Sequence, residues 1–381
     1  MLLDVSRYEA DRKERWERLR IAGEFREADR VPVCFGIGPS YYCWLFGYHI
    51  HEYYSTPELQ PEVQLKGIEW EYETLRADSS TATGLRCDIG PLAEAIVFGA
   101  DVARPEDTSP RIEHMVHDAA DIERLRHIDP ARNPLLKDYF RRCERFDATA
   151  RKMGVKLALN DKPSLGIHPP LSCACALMSP TQVYEMMYTE PALLRRFLDK
   201  CWDAFCAYSD YFDRLYGRPR KRRSVGLADD NISQISADMF RRFEMPYYHK
   251  LRERHQAEHF SLHTDGPNDQ HFKVLADEVK LTSMDIGGYS RLENAVRDMK
   301  GKVVIYGGLR CWDFYAQGKM TAETRRKVID AIRLAAPGGG FELAIGGETY
   351  VGVSPDGICD LVRFVQEWGR YPIQIPDSAG A

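Results

Sequence analysis

This chain of 381 residues lacks the sequence features that mark membrane, secreted and nucleic-acid-binding proteins. No run of about 18 apolar residues offers a membrane span, and the first residues lack the apolar core of a signal peptide. We therefore expect a cytoplasmic protein without a membrane partner. Lys and Arg number 52 against 57 Asp and Glu, a formal net charge of -5, so we expect no nucleic-acid partner either.

The sequence also lacks a C-x-x-C pair, although it contains 10 cysteines. Without a leader, those cysteines are expected to be reduced thiols rather than a disulfide framework. Cys173-Ala-Cys175 is the closest approach to a pair. We interpret these two residues as small side chains packed against helices, in preference to a metal or redox pair.

Apolar segments alternate with helical patterns from residue 155 onward, which favours a parallel sheet. The predicted strands are 31–36, 155–160, 224–228, 259–262, 279–283, 302–306 and 341–345, with one more between 80 and 100. A long helical stretch is predicted over 180–216, and shorter ones over 292–299 and 321–335. This number of strands approaches the eight of a closed (β/α)8 barrel.

A doubly wound open sheet is the alternative, but the glycine-rich nucleotide fingerprint is absent. Neither Ile37-Gly-Pro-Ser40 nor Pro337-Gly-Gly-Gly340 matches it. We therefore predict an α/β fold with one domain over residues 1–381, a single (β/α)8 TIM barrel. Residues 1–30, with apolar positions at helical spacing, are predicted to form an N-terminal helical extension.

Polar residues follow the predicted strands, where the active site of a barrel forms. Capping of the following helices accounts for about half of them, since loops before helices often end on Asp or Asn. The remainder are more than capping requires, and their convergence would demand a cation or shared protons. The whole set of strand-end residues is Asp161, Asp229, Asp230, Asn231, His263, Asp265, Asp285 and Glu348.

The segment His263-Thr-Asp265-Gly266 is the most informative of these strand ends. Alternate residues of a strand share one side, about 7 Å apart, so an imidazole and a carboxylate converge here. They form a candidate metal or acid/base pair. A surface histidine beside a turn-capping aspartate is the structural alternative. Of the preceding acids, we expect Asp229 to reach the cavity and Asp230 to cap the helix that begins near Ser236.

Short motifs in a consistent order resemble those of the uroporphyrinogen decarboxylase-like (β/α)8 barrels. That superfamily contains the porphyrinogen decarboxylase itself and cobalamin-linked methyltransferases. The resemblance covers nearly the whole chain. The motifs are Arg15-Trp-Glu-Arg-Leu-Arg, Ala28-Asp-Arg-Val-Pro-Val33, Asp88-Ile-Gly-Pro-Leu-Ala-Glu94, Gly99-Ala-Asp-Val, Ala228-Asp-Asp-Asn-Ile-Ser233, Phe243-Glu-Met-Pro-Tyr, His263-Thr-Asp-Gly266 and Tyr306-Gly-Gly-Leu309.

Two departures from the family pattern argue against porphyrinogen decarboxylation. Gly36-Ile-Gly-Pro-Ser40 stands where the decarboxylase has an arginine-rich motif, and Gly346-Gly-Glu348-Thr stands where it has Gly-His-Gly. The methyltransferase branch binds zinc through His-x-Cys and a later Cys. The resemblance places His263 at the histidine, Asp265 at the first cysteine and Glu348 near the second. It thus implies a divalent metal on these three residues, with zinc preferred and manganese or iron also suited.

The resemblance leads to a corrinoid-dependent methyltransferase acting on a small methoxylated or methylated substrate. His263, Asp229 and Asp230 would be catalytic, one of the two acids orienting the substrate or protonating the departing oxygen. Expected substrate-binding residues are Asp161, Asn231, Asp285, Tyr289 and Arg310. Aromatic residues that could wall the pocket are Tyr41, Tyr42, Trp44, Tyr289 and Trp312.

Two other functions stay open at this point. One is a metal-assisted or acid-catalysed decarboxylase or lyase of a small carboxylate, with Arg310 as anion clamp. The other is a non-catalytic cofactor-binding barrel, against which the ionisable strand ends argue. The expected partners are a small-molecule substrate and a separate small corrinoid protein. A homodimer is left open as the oligomeric state.

Overall fold

The computed structural model describes residues 4–160, 162–315 and 318–380. Asp161, expected to bind substrate, lies outside the described residues. The strands are β1 Val33–Gly36, β2 Gly84–Leu85, β3 Val102–Ala103, β4 Arg111–Ile112, β5 Ala158–Leu159, β6 Ser224–Ala228, β7 His259–His263, β8 Ser283–Asp285, β9 Val304–Leu309 and β10 Phe341–Glu348.

The α-helices fill most of the sequence between these strands. They are α1 Glu9–Gly23, α2 Pro39–Phe46, α3 Ile50–Ser55, α4 Gln60–Trp70, α5 Ala93–Phe98, α6 Ala119–Arg124, α7 Pro134–Lys152, α8 Pro170–Leu177, α9 Pro180–Thr189, α10 Pro191–Tyr216, α11 Ala237–Phe243, α12 Met245–His255, α13 Phe272–Val274, α14 Leu292–Met299, α15 Ala322–Ala335 and α16 Pro355–Trp368. In the parts of the chain described above, no helix combines the length and apolarity that a membrane crossing requires.

The chain folds into two compact units. The first comprises the described residues of 1–46, 63–83 and 260–381, and the second those of 47–62 and 84–259. The first unit contains a parallel sheet whose neighbouring strands are, in order, β1, β10, β9, β8 and β7. In the second unit β2 pairs with β5 in parallel and β3 with β4 antiparallel.

The parallel sheet of the first unit is buried, which explains its continuous apolar sequences. Val33, Phe260 and Leu343 are fully buried, and Met284 and Ile305 are nearly so. Side chains of this kind, withdrawn from water, each contribute about 1.5–3 kcal/mol to folding. The α/β class with parallel strands is thus confirmed. Closure of eight strands into one barrel, and a single domain over the whole chain, stay predictions.

The N-terminal helical extension is confirmed as α1, but its buried face is not the apolar one. Trp16 is 62% exposed, whereas Arg15 and Arg18 are buried. The reason is a buried carboxylate: Asp78 accepts hydrogen bonds from Arg18 and Arg30 and from the backbone N–H of Val33. Pairing with Asp78 avoids the large cost of burying an isolated charge, so charge complementarity allows this face of the helix to be buried.

Several predicted element bounds were wrong for identifiable reasons. The helix predicted over 180–216 is two helices, because Pro191 cannot donate a backbone N–H and begins α10 as its first residue. The strand predicted over 279–283 begins only at Ser283, after a π-helical turn at Leu275–Val279. The strand predicted over 155–160 is confined to β5, whereas the strand expected between residues 80 and 100 is confirmed as β2.

Candidate functional site

The carboxyl ends of β7 and β8 bring His263 and Asp285 together in the first unit. Ser261 is paired with Ser283, so the two strands run in register and end side by side. His263 Nδ1 lies 2.9 Å from Asp285 Oδ2. Because a carboxylate only accepts, Nδ1 carries the proton and Nε2 is left as the basic nitrogen of the neutral ring.

Asp285 is held in place by backbone donors as well as by the histidine. Its Oδ1 accepts from the N–H of Gly287 at 3.0 Å. The N–H of Gly347 lies 3.2 Å and 3.3 Å from the two oxygens. The Asp285 side chain is only 12% exposed. Asp285, expected to bind substrate, is therefore placed to orient His263.

Asp265 lies on the other side of the imidazole. Its Oδ1 is 3.5 Å from His263 Nε2, and its Oδ2 accepts a 2.9 Å hydrogen bond from the Tyr350 hydroxyl. Burial and the nearby Asp265 raise the pKa of Tyr350, so the phenol stays protonated and keeps donating. Gly347 has a φ of +80°, and a β-carbon there would collide with Asp265 Oδ1. Glycine at 347 thus makes room for this carboxylate.

The spacing of these groups fits two ligands of one divalent ion. A tetrahedral zinc with bonds of about 2.1 Å separates its ligand atoms by about 3.4 Å. The measured separation between His263 Nε2 and Asp265 Oδ1 is 3.5 Å. A carboxylate on the far nitrogen of a histidine ligand, as Asp285 provides, is the usual support for such a ligand. The sequence prediction of a shared side for His263 and Asp265 is confirmed.

Glu348, the third predicted ligand, lies on a different strand from the one that leads to His263 and Asp265. It ends β10 beside β1, where Gly36 is its register partner. Its Oε2 lies 3.4 Å from the place that a β-carbon of Gly38 would occupy. Its backbone carbonyl accepts a 3.0 Å hydrogen bond from the Cys311 thiol. Asp285 contacts the imidazole directly. Glu348 as third metal ligand stays a prediction.

Tyr289 and Arg310 both pack on Trp312. The Tyr289 and Trp312 ring centres are 5.1 Å apart, and the Arg310 guanidinium carbon is 5.3 Å from the Trp312 ring. Arg310 also lines a cavity of about 360 Å³ between α14 and α15, together with two other cations and three carboxylates. These are Arg291, Lys327, Glu293, Asp313 and Asp330. Tyr289, Arg310 and Trp312 are exposed and can contact a ligand of the first unit.

The other aromatic residues expected to wall the pocket have structural contacts. Tyr41 is fully buried and donates to the carbonyl of Val353, and Tyr42 is nearly buried and donates to Glu71. Trp44 is 41% exposed. Tyr41 and Tyr42 therefore belong to the packed interior of the first unit.

In the second unit, Asp229 is fully buried at the end of β6. Its two oxygens accept hydrogen bonds from Ser172 at 2.6 Å and from Tyr248 at 2.8 Å. Burial raises the pKa of Asp229 to about 6, although both hydroxyl donors oppose the shift. A carboxyl group that titrates near neutrality is suited to proton transfer.

The two residues after Asp229, Asp230 and Asn231, make contacts that bear on their predicted roles. Ser236 caps α11 itself, accepting from the backbone N–H of Met239, so the expected capping by Asp230 is wrong. Asp230 instead begins a 3-10 turn, Asp230–Gln234. The side-chain NH2 group of Asn231 donates to the Ser172 hydroxyl at 3.0 Å. The side-chain oxygen Oδ1 of Asn231 accepts from the Tyr184 hydroxyl at 2.8 Å. Asn231 therefore extends the network around Asp229.

A histidine–carboxylate pair in the second unit was missed from the sequence. Glu94, fully buried in α5, accepts from the backbone N–H of His168 at 2.8 Å and from its Nδ1 at 2.9 Å. Burial alone would lower the pKa of His168, but the hydrogen bond and charge of Glu94 raise it to about 8. The two residues are 74 positions apart, and neither occurs in a pattern with the other.

Comparisons with known proteins agree with the resemblance of the motifs. The family described as Uroporphyrinogen decarboxylase (URO-D) matches residues 16–368. Among solved structures, the chain is similar to a methyltransferase from Methanosarcina mazei, with a TM-score of 0.63 and 17% identity over 92% of this chain and 97% of that one. Identity this low shows a shared fold only. Among curated proteins, none matches. The chain belongs to the uroporphyrinogen decarboxylase family.

Proposed function

We propose that this protein is a metal-assisted methyltransferase whose metal-binding residues are His263 and Asp265. The line of three side chains from Asp285 through His263 to Asp265, with separations of 2.9 Å and 3.5 Å, carries the proposal. A surface histidine beside a turn cap would not require a buried carboxylate behind its ring. The fold shared with a methyltransferase supports the class of reaction.

Each residue of this line has a separate task. Asp285 keeps the proton on Nδ1, so Nε2 presents a lone pair. Tyr350 holds one oxygen of Asp265 and leaves the other directed at the imidazole. Two ligands fixed in this way need no rearrangement to receive an ion, which lowers the entropic cost of binding. Glu348 is the third ligand that we propose.

A zinc ion bound there would act as a Lewis acid on a heteroatom of the substrate and make it a better leaving group. The proposed substrate is a small methoxylated or methylated compound, and the proposed methyl acceptor is a reduced corrinoid carried by a separate protein. Tyr289, Trp312 and Arg310 are exposed and can contact the rest of the substrate.

The proposal is tested by methyl transfer from a panel of O-, N- and S-methyl compounds to free reduced cobalamin, followed by absorbance. We expect zinc-loaded wild type to be active and His263→Ala to lose at least about 100-fold, because loss of a ligand should cost at least as much as loss of the group that orients it. His259→Ala is the matched control, because His259 is an exposed histidine at the other end of the same strand. Equal activity of the two variants would contradict the proposal.

A carboxy-lyase is the second candidate function. It is favoured by the cavity of the first unit, where Arg310 and Arg291 could bind a substrate carboxylate. Release of carbon dioxide from small carboxylic acids, abolished by Arg310→Gln, would support it. If the protein binds metal but catalyses neither reaction, the third alternative, a non-catalytic cofactor-binding barrel, would account for the site.

A further inference from the structure

A separate apolar cavity of about 140 Å³ lies within the second unit. Its walls come from α5, β3 and α7, and the apolar part includes Leu92, Ile96, Val102 and Leu135. Leu92 is buried, whereas Leu135 at the start of α7 is 40% exposed and leaves the cavity accessible from outside. No residue of the first unit contributes to this lining, so the cavity is independent of the site around His263.

Two arginines, Arg104 and Arg142, also line this cavity, together with one carboxylate, Asp138. Asp138 is paired with Arg141 at 3.0 Å. Arg142 donates a 2.6 Å hydrogen bond to the carbonyl of Tyr54, which anchors its guanidinium. Among the described residues no carboxylate pairs with Arg104. Burial and repulsion from Arg142 both lower the pKa of Arg104, so the two cations are close enough to destabilise each other. A bound anion between them would remove that repulsion.

The combination of a largely apolar cavity and two neighbouring guanidinium groups defines the chemistry of a ligand. We propose that this pocket binds a small carboxylic acid with an apolar body of about six carbons. An apolar cavity of about 150 Å³ accommodates a benzene ring, which sets the size of the body. Guanidinium groups recognise carboxylates through paired, charge-assisted hydrogen bonds, which sets the charged end.

Benzoate and its neutral analogue benzamide are the probes that separate these two contributions. Binding to the full-length protein is measured by calorimetry and by methyl NMR of Ile96. We expect benzoate to bind with a Kd on the order of 1 mM or tighter, and benzamide at least about tenfold more weakly. Failure of benzoate to bind, or equal affinity of the two probes, would overturn the proposal.

Two variants locate the binding within the pocket. Arg104→Gln should weaken benzoate about tenfold and leave benzamide unchanged, because it removes charge and keeps the cavity. Leu135→Gln should weaken both probes, because it makes the wall polar at an exposed position that tolerates the change. Arg151→Gln, on α7 outside the lining, is the matched control. Wild-type affinity in both Arg104→Gln and Leu135→Gln would place benzoate elsewhere and refute the assignment.

Discussion

Replacement of Asp285 by asparagine tests how the metal-binding histidine is oriented. The carboxylate accepts from three donors, namely His263 Nδ1 and the backbone N–H groups of Gly287 and Gly347. An amide has one acceptor oxygen, so Asp285→Asn must direct its NH2 group at one of these donors. The variant therefore either leaves one donor without an acceptor or shifts the His263 proton to Nε2, where the nitrogen can no longer bind a metal.

The magnitude follows from these contacts. One buried donor left without an acceptor costs about 1–3 kcal/mol of folding free energy. Loss of the carboxylate behind a histidine ligand lowers metal affinity about 10- to 100-fold. We therefore expect Asp285→Asn to fold with reduced thermal stability and to bind zinc at least about tenfold more weakly, as measured by competition with a chromophoric chelator.

The control for this experiment is Asp277→Asn. Asp277 pairs with Lys273 and Lys302 at the surface of the same unit. Surface ion pairs contribute about 0–1 kcal/mol, so this variant should change stability little and zinc affinity not at all. A folded Asp285→Asn protein with the zinc affinity of wild type would refute the role given to Asp285.

Three further predictions concern buried ionisable groups. Because burial raises the pKa of Asp229 to about 6, the folded state retains a proton that the unfolded state releases from about pH 4 upward. Wild type should lose up to about 3 kcal/mol of stability as the pH rises from 4 to 6, and Asp229→Asn should lose less, in thermal melts across that range. The pKa of His168 is raised to about 8, so its protonation stabilises the folded state below about pH 6.5. This stabilisation is lost as the pH rises through 8. Glu94→Gln should lower this pKa in an NMR titration, since the largest contribution that opposes burial is then removed. Asp78→Ala should cost about 3–5 kcal/mol in denaturant unfolding but leave zinc affinity unchanged, because it removes the buried carboxylate that pairs with both Arg18 and Arg30.

The sequence predicted the elements whose signals are local. The strands ending at Ala228 and His263 carry compact apolar runs, and their bounds agree with the structure within one residue. The shared side of His263 and Asp265 follows from the two-residue period of a strand. Elements whose bounds depend on distant packing were less accurate, as at β8, where a π-helical turn occupies the expected start of the strand.

The parts of the site that the sequence did not predict depend on contacts between distant positions. Asp285 was recognised as a strand-end acid, but its role requires the register of β7 with β8, which no local pattern encodes. Glu94 and His168 meet only because α5 packs near the start of α8. A buried glutamate inside an otherwise apolar helix, Ala93-Glu-Ala-Ile-Val-Phe98, was the one signal that could have suggested a charged partner.

The most direct test of the account is the metal content of the purified protein after equilibration with zinc and removal of the free ion. We predict about one zinc per chain for wild type and for His259→Ala, and almost none for His263→Ala combined with Asp265→Ala. The double variant should retain the circular dichroism spectrum of wild type. Wild-type protein that stays active after exhaustive chelation, with no zinc bound, would contradict the account.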